Sequence, residues 1–336
     1  MSRLIYIFRC ILRMDYKAML STVSKIHKKT GKSRLVLFFD MIVCGFRYGC
    51  GYKDYLLNEW WTLNTAQRKT YITRGINNSL IARYNDSAYY HLLDNKIDFN
   101  RFFADCLGRR WIDLSSATKE EFASFLTGLT AVVAKPIDQA CGIGVVKLQG
   151  DELADSDALY DKLREAGSPL VEEYIVQHPT ISHIYPHSVN TLRIVSATDN
   201  EGVPHILYAF IRIGNEGRVV DNINNGGMAA PIDVETGVIN NVAFDKNSLY
   251  YDIHPYTGSP IVGVEIPFWK EAVALVLQAA RRIPQLRYVG WDVAVTPTGV
   301  TFVEGNQHPG HDILQMPPHV PDKIGMLPRY RQYFDI

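Results

Sequence analysis

The stretch GWDVAVTPTGVTFVEGNQHPG, residues 290–310, contains the pattern that decides the fold. It predicts two strands joined by a turn at residues 297–299. Alternate side chains of a strand share one face, so Glu304 and Asn306 lie together and the paired strand brings Asp292 beside them. Two carboxylates and an amide, with no histidine or cysteine among them, suit a hard cation such as Mg²⁺. Apolar neighbours would bury this hairpin, so the acids at its centre need a compensating partner.

A lysine and a glycine-rich loop occur upstream, in AKPIDQACGIGVVKL, residues 134–148. A predicted strand ends at Lys135, and a loop with Gly142 and Gly144 leads into the next strand. Glycines let a backbone approach a ligand closely, and successive N–H groups with a lysine at the root of the loop can hold phosphate oxygens. The segment lacks the GK[ST] ending of a P-loop. Taken alone, it fits a plain glycine-rich hairpin equally well.

An acidic strand follows in PLVEEYIVQHP, residues 169–179, where Glu172 and Glu173 precede an apolar run. In a nucleotide pocket this segment would offer backbone groups to an adenine edge and polar side chains to the ribose. The alternative is an ordinary edge strand with exposed acids.

Two arginines lie inside apolar strands, Arg193 in NTLRIVSAT and Arg212 in ILYAFIRI, and Asn222 follows the second strand. Arginines in such surroundings are seldom left unpaired. A structural salt bridge is one partner, and a phosphate or carboxylate ligand is the other, because the guanidinium fork matches either.

Composition excludes several classes of protein. The 336 residues include 35 lysines and arginines and 35 aspartates and glutamates, which argues against a general nucleic-acid binder. The 5 cysteines are scattered without a CxxC pair, so we expect neither a disulfide framework nor a zinc site, and a cytoplasmic location is the default. The longest apolar run, residues 35–46, is interrupted by Asp40 and is too short to span a bilayer.

The first fourteen residues, MSRLIYIFRCILRM, are apolar but broken by three arginines. A signal peptide would need a longer uninterrupted apolar centre. Two interpretations stay open, a helix docked on the body of the protein and an amphipathic helix lying on the inner membrane surface.

The pattern along the chain changes near residue 95. Residues 1–94 mix apolar and polar residues at helical spacing, whereas short β-rich runs follow, interrupted by helical stretches such as KEEFASFLTGL (119–129) and FWKEAVALVLQAARRI (268–283). Strands dominate but helices intervene, so the predicted class is α+β with mostly antiparallel sheets.

In their order, these segments resemble the ATP-grasp superfamily from about Lys96 to Gly310. VVAKPIDQACGIGV, LVEEYI, IRIGNEGRVVDNINNGG and the D…ExN pattern with a following Pro-Gly are similar to the glutamate-ligase-like branch. SVNTLRIVS, the helical N-terminal region and the EGNQHPGHD ending resemble a narrower group, the sugar-transfer-associated ATP-grasp proteins linked to cell-surface polysaccharide assembly. The chain departs from typical members because residues 1–94 do not read as a βαβ domain.

The resemblance implies two α+β subdomains that sandwich ATP, a small one at 95–178 and a large one at 179–336, after a helical region at 1–94. It also implies the nucleotide contacts. These are Lys96 and Lys135 at the α- and β-phosphates, beside Gly142 and Gly144; Glu172 with Glu173, Tyr174 and Ile175 in the hinge strand at adenine; and Gln177 or His178 at the ribose.

By the same resemblance, Asp292, Glu304 and Asn306 are Mg²⁺ ligands, for two ions, with Mn²⁺ as an alternative metal. Arg193, Arg212 and Asn222 match catalytic positions near the γ-phosphate and the acyl phosphate.

The implied activity is an ATP-dependent carboxylate–amine ligase with small-molecule partners, an amino acid and a sugar acid or nucleotide sugar. His308, His311 and Asp312 either line the amine site or are loop residues at its mouth. The alternatives are a kinase for a sugar or hydroxyl substrate and a non-catalytic ATP-binding subunit of a polysaccharide assembly complex.

Overall fold

The computed structural model describes residues 15–137 and 144–336. Contacts divide them into two compact units. The described residues up to Arg83 form the first unit together with Gly310–Ile336, and Tyr84–Pro309 form the second. The grouping differs from the predicted segments, which ended the helical region at residue 94 and assigned the C-terminal residues to the large subdomain. The change from helical to strand-rich sequence does not coincide with the change in packing, because the helices that follow residue 84 pack on strands of the second unit.

The first unit is helical, as the pattern of residues 1–94 predicts. Its helices are α1 Tyr16–Thr30, α2 Arg34–Tyr48, α3 Tyr52–Leu57, α4 Thr65–Arg68, α5 Arg74–Tyr84 (which ends at the first residue of the second unit) and, after the return of the chain, α13 Leu327–Tyr330. Within residues 15–137 and 144–336, no helix is both long enough and apolar enough to cross a membrane.

Local sequence explains the α1–α2 hairpin. The carboxylate of Asp15 accepts a hydrogen bond from Ala18 N at 2.9 Å and so caps the first turn of α1. Gly31, with φ of 71°, ends α1 in the left-handed conformation that glycine adopts without steric cost. The two helices pack through a shared core that includes Met19, Met41 and Trp60.

Among residues 84–137 and 144–309, the second unit has seven helices. They are α6 His91–Asp94, α7 Lys96–Phe102, α8 Ala104–Leu107, α9 Lys119–Leu126, α10 Ser156–Glu165, α11 Pro179–Ile184 and α12 Trp269–Arg282. The two helices predicted at 119–129 and 268–283 are among them, and Ala272, Val276 and Ala279 are buried on one side of α12.

In the described part of the second unit the strands form two sheets, and every strand pair in them is antiparallel. The smaller sheet has the order β1-β4-β2-β3, with β1 Trp111–Asp113, β2 Ala131–Lys135, β3 Val146–Gln149 and β4 Leu170–Glu173. The larger sheet has the order β11-β10-β5-β6-β7-β8-β9, with β5 Leu192–Thr198, β6 Pro204–Ile213, β7 Met228–Ile232, β8 Ala243–Asp245, β9 Tyr250–Tyr251, β10 Tyr288–Thr296 and β11 Gly299–Asn306. The predicted α+β class and antiparallel pairing are confirmed.

The hairpin of residues 290–310 forms as predicted. Asp292 of β10 lies opposite Glu304 of β11, and Gly290 lies opposite Asn306. On its other side β10 pairs with β5, where Asp292 faces Arg193. Register therefore brings the charged residues of three strands to one place in an otherwise apolar sheet.

An aromatic core fastens α7 and α8 to the larger sheet. Phe99, Phe103, Trp291 and Phe302 are all buried, and the rings of Phe103 and Trp291 meet edge to face with centroids 5.6 Å apart. Gly305 allows this close packing, because a Cβ there would lie 2.6 Å from Leu93 Cδ2.

Substitution of one core leucine tests this packing. Leu192 of β5 is fully buried, whereas Leu249 is 54% exposed. We expect Leu192→Ala to lower the free energy of unfolding by about 2–5 kcal/mol, because it removes buried methyl groups and leaves a cavity. The same change at Leu249 should stay within about 0.5 kcal/mol. Urea denaturation measures both, and equal effects at the two positions would contradict the assigned core.

Candidate functional site

A cavity opens between the two sheets of the second unit. The smaller sheet contributes Val133 and Lys135 of β2 and the end of β4, and the larger sheet contributes Arg212, Asp292 and Glu304. Apolar, cationic and acidic side chains all line this cavity. Such a mixture of an apolar wall with a few convergent charged groups is typical of small-molecule sites.

Glu172 lies at the centre of a buried charge cluster on the smaller sheet. Its carboxylate accepts hydrogen bonds from Asn100 Nδ2 at 2.7 Å, from Arg109 Nη2 at 2.8 Å and from Lys135 Nζ. Glu172 is only 2% exposed, so it holds the Lys135 ammonium in position rather than facing solvent as an edge-strand acid. Burial alone would raise the pKa of Glu172, but the charges of Arg109 and Lys135 outweigh it and lower the pKa to about 2.

A second charge cluster lies on the larger sheet around Asp292. Arg193 donates to both carboxylate oxygens, through Nε to Oδ1 and through Nη2 to Oδ2 at 3.0 Å. Arg212 approaches the same carboxylate, with Nη2 3.1 Å from Oδ1 and Nη1 2.9 Å from Oδ2. Gly290 leaves the space that Arg193 occupies, because a Cβ at that glycine would lie 2.9 Å from Arg193 Nη1.

The two arginines of the prediction therefore differ in position. Arg193 is buried in the salt bridge with Asp292, which is the structural alternative considered for it, and it does not line the cavity. Arg212 lines the cavity while bound to Asp292. Asn222 also lines the cavity, and its Oδ1 accepts a hydrogen bond from Asn224 N, which caps a short 3₁₀ turn at Ile223–Asn225.

The paired acids Asp292 and Glu304 meet across β10 and β11. Burial raises the pKa of Asp292 even with Arg212 beside it. Burial and then the negative charge of Asp292 raise the pKa of Glu304 to about 7. A carboxyl group whose ionisation is opposed by a neighbouring carboxylate, as Glu304 is by Asp292, marks a place where a bound cation would relieve repulsion.

The carboxylates of Asp292 and Glu304 and the amide of Asn306 are donors that suit a hard divalent cation. Asn306, however, does not line the same cavity as Asp292. Asn306 lines an adjoining cavity together with Lys96 and Glu304, and its Oδ1 accepts a hydrogen bond from His308 N at 2.7 Å. Glu304 lines both cavities. Among residues 15–137 and 144–336, no group of three histidine, cysteine, aspartate or glutamate side chains is arranged for a metal. Two carboxylates with an amide are a set that hard cations accept.

The hinge segment after β4 forms one wall of the cavity. Glu173, Tyr174 and Ile175 all line it, and Lys147 Nζ lies 4.0 Å from the centroid of the Tyr174 ring. The backbone N–H of Tyr174 donates a hydrogen bond to Ala131 O at 3.1 Å, and this bond holds the start of the hinge against β2.

Neither residue predicted at the ribose lines the cavity. The buried amide of Gln177 donates to the carbonyls of Tyr185 and Ser188 and accepts from Asn190, so it fixes the segment that leads into β5. His178 caps α11 by accepting from Thr180 N. The prediction of a ribose contact therefore has no support in this geometry, because both side chains are occupied by the local backbone.

Three of the four residues predicted to contact the phosphates lie in the described part of the chain. Lys96 and Lys135 both line the cavity, and Lys96 Nζ donates to Ile137 O at 3.3 Å. Gly144 adopts φ of 71°, the left-handed conformation expected of a glycine turn, and its neighbour Val145 lines the cavity. Gly142 lies outside the described residues.

The three residues considered for the amine site belong to different units. His308 is exposed and lines the adjoining cavity in the second unit. His311 belongs to the first unit, where its Nε2 lies 3.1 Å from Asp54 Oδ1. Asp312 also belongs to that unit.

Sequence reasoning missed Arg109 and Asp221. Arg109 is buried against Glu172 and also donates to Phe302 O, so it connects the acidic strand β4 with β11. Asp221 lines the cavity and accepts from Thr191 N at 2.9 Å. The only available signal was the rule that a buried acid or arginine needs a partner, which predicts that partners exist without naming them.

The Glu172 cluster predicts a specific pH dependence of stability. The folded-state pKa of Glu172 is about 2, below the ordinary value of 4.5, so its contribution is present above 4.5 and is lost as the pH falls toward 2. Glu172→Gln should lower the free energy of unfolding near neutral pH by about 3 kcal/mol, because Arg109 and Lys135 lose their partner. The difference from wild type should shrink over that acid range.

Urea denaturation at several pH values measures this effect. Glu235→Gln makes the same chemical change at an exposed position and should follow wild type. If the free energy of unfolding of Glu172→Gln stays below that of wild type by a constant amount through the acid range, the role proposed for the charge of Glu172 is contradicted.

Comparisons with known proteins identify the family of this chain. The family described as sugar-transfer associated ATP-grasp matches residues 75–329, more than half of the chain. No curated protein matches.

Similar solved structures include the D-alanine–D-alanine ligase of Bacillus anthracis, with 15% identity, a TM-score of 0.43, and coverage of 76% of this chain and 72% of that one. The ATP-grasp ligase PsnB, complexed with a minimal precursor, has 14% identity and a TM-score of 0.40, and the match covers 68% of this chain but only 56% of PsnB. The ADP complex of the N5-carboxyaminoimidazole ribonucleotide synthetase PurK has 12% identity, a TM-score of 0.41 and coverage of 70% and 51%.

The family match confirms the resemblance to ATP-grasp proteins, and with it the ATP-grasp fold of two α+β subdomains after a helical N-terminal region. The chain belongs to the sugar-transfer associated ATP-grasp family.

Proposed function

We propose that this protein is an ATP-dependent carboxylate–amine ligase. The observation that supports the proposal is the cavity between the two sheets, where Lys96, Lys135 and Arg212 face the paired acids Asp292 and Glu304. Cations suit the triphosphate of ATP, and the paired acids suit the metal that accompanies it.

The apolar part of the cavity would hold the adenine. Val133, Ile175 and Val303 line it, and the hinge at Glu173–Ile175 offers backbone groups to the edge of the base. Lys135 reaches the phosphates from β2, held by Glu172, and Lys96 reaches them from the start of α7. Because Lys135 is already positioned by a buried partner, it has little side-chain freedom to lose when the nucleotide binds.

Asp292, Glu304 and Asn306 would hold Mg²⁺, with two ions as the expected number and Mn²⁺ as a substitute. The metal, when bound, neutralises charge on the phosphates and helps to align them. Arg212 lies in the same part of the cavity, and its guanidinium would move from the carboxylate of Asp292 toward a transferring phosphoryl group.

The proposed reaction has two steps. A carboxylate oxygen of the first substrate attacks the γ-phosphorus of ATP in line, ADP leaves, and an acyl phosphate forms. An amine then attacks the acyl carbon, loses a proton, and expels inorganic phosphate, so that an amide remains. Arg212 and Asn222 would contact the phosphoryl group in both steps, since both line the cavity beside the acids.

The substrates we propose are an amino acid and a sugar acid or nucleotide sugar, joined in the cytoplasm during assembly of a cell-surface polysaccharide. Membership of a family described as sugar-transfer associated supports a sugar-derived substrate. The adjoining cavity, with Asp94, Asn95, Gln307 and His308, offers the polar side chains such a substrate requires.

A screen for ADP release across amino acids, uronic acids and nucleotide-linked uronic acids tests the activity. We expect ADP and inorganic phosphate to appear in equal amounts, and only when both an acid and an amine are present. A phosphorylated product that forms without an amine would identify a kinase instead. If ATP binds but no pair of acid and amine substrates is turned over, the result would favour a non-catalytic subunit.

Glu304→Gln tests the role of the paired acids. Loss of one carboxylate charge should reduce kcat/KM for the reaction by about 100-fold or more, because charge compensation at the phosphates is lost. Glu265→Gln makes the same change at an exposed position outside the cavity and should leave turnover intact. Thermal unfolding establishes that both variants are folded, and unchanged activity in Glu304→Gln would contradict the metal role.

A further inference from the structure

Helix α2 of the first unit has an apolar face that is open to solvent. Its opposite side is buried through Leu37, Met41 and Cys44. The exposed apolar side chains, which we call the apolar patch, are Leu35 (70% exposed), Val36 (63%), Phe39 (62%), Val43 (52%) and Phe46 (41%). At 3.6 residues per turn they occupy one continuous arc of roughly 100° along the helix.

The neighbouring helix enlarges this surface. Tyr16 and Leu20 of α1 are 45% and 53% exposed, and α1 contacts α2 along the hairpin. Single exposed apolar residues are ordinary, but a contiguous exposed row indicates a surface that another body covers.

The same hairpin has a strong excess of positive charge. Residues 16–48 contain seven lysines and arginines and one acid, Asp40. The carboxylate of Asp40 is already bound by Arg68, with Nη1 2.8 Å from Oδ1 and Nη2 2.7 Å from Oδ2. The exposed basic residues are Lys17, Lys25, Lys28, Lys29, Lys32, Arg34 and Arg47.

The composition of the whole chain does not reveal this local excess of positive charge. Residues 1–83 contain 15 lysines and arginines against 4 aspartates and glutamates, whereas the complete chain has 35 of each. Positive charge is therefore concentrated in the part of the sequence that also has the apolar patch.

We propose that the α1–α2 hairpin docks on an anionic lipid bilayer. The apolar patch would enter the boundary between headgroups and acyl chains, and the lysines and arginines around it would bind the lipid phosphates. An apolar face bordered by basic residues is the pattern of helices that lie in a membrane surface. This proposal does not depend on the reaction proposed for the cavity in the second unit.

Charge also argues against a second copy of this chain as the occupant. A symmetric contact through the apolar patch would bring two basic edges together, and like charges across an interface oppose association. An anionic bilayer satisfies both the apolar and the basic side chains.

Sedimentation of the full chain with lipid vesicles tests the proposal. We expect binding to vesicles of phosphatidylcholine mixed with phosphatidylglycerol, little binding to vesicles of phosphatidylcholine alone, and weaker binding as salt is added. Failure to bind the anionic vesicles would overturn the proposal.

Two double variants separate the apolar and the electrostatic contributions. Phe39→Gln with Val43→Gln, and separately Lys25→Gln with Lys28→Gln, should each weaken vesicle binding by about tenfold or more. Leu249→Gln with Ile253→Gln is the matched control, since both residues are 54% exposed in the second unit, and it should bind as wild type does.

Thermal unfolding should be similar in all three double variants, because every changed side chain is exposed. Vesicle binding that survives both hairpin variants would overturn the proposal. Light scattering that shows a wild-type dimer, converted to a monomer by Phe39→Gln with Val43→Gln without loss of vesicle binding, would assign the patch to a subunit interface and also overturn it.

Discussion

The pairing of Asp292 with Arg193 and Arg212 is the interaction on which the arrangement of the second unit depends. The three residues lie on adjacent strands β10, β5 and β6. A charge removed from water without a partner costs several kcal/mol, so a shift of these strands that separated the three side chains would be strongly disfavoured. The tight turn between β10 and β11 sets Glu304 opposite Asp292, and this pair defines the acidic side of the cavity.

The smaller sheet contains a second buried ion cluster. Glu172 is surrounded by Arg109, Lys135 and Asn100, so one carboxylate organises two cations. The larger sheet instead presents two acids with raised pKa values beside Arg212. Cationic and acidic groups from the two sheets therefore meet in a single cavity, which suits a ligand that combines an anionic chain with a bound cation.

Much of this arrangement follows from sequence because period-2 alternation is a local property. The hairpin at 290–310 and its pairing of Asp292 with Glu304 needed only strand geometry and a turn. Other features depended on contacts between distant parts of the chain. Gln177 looked like a ligand residue, yet it bonds the backbone at Tyr185 and Ser188, and Arg109 gave no local signal of its contact with Glu172. The return of Gly310–Ile336 to the helical unit is a question of packing that hydrophobic periodicity does not address.

The missing side chain of Gly305 has a mechanical consequence. This residue separates Glu304 from Asn306, and the helices that begin at His91 and Lys96 press against it through Leu93 and Phe99. Because Lys96 begins one of these helices and Glu304 and Asn306 flank Gly305, the packing at the glycine holds the helix that carries the lysine against the strand that carries the acids. A side chain at position 305 would have to displace Leu93 and Phe99, and this would weaken the attachment of the helices to that strand.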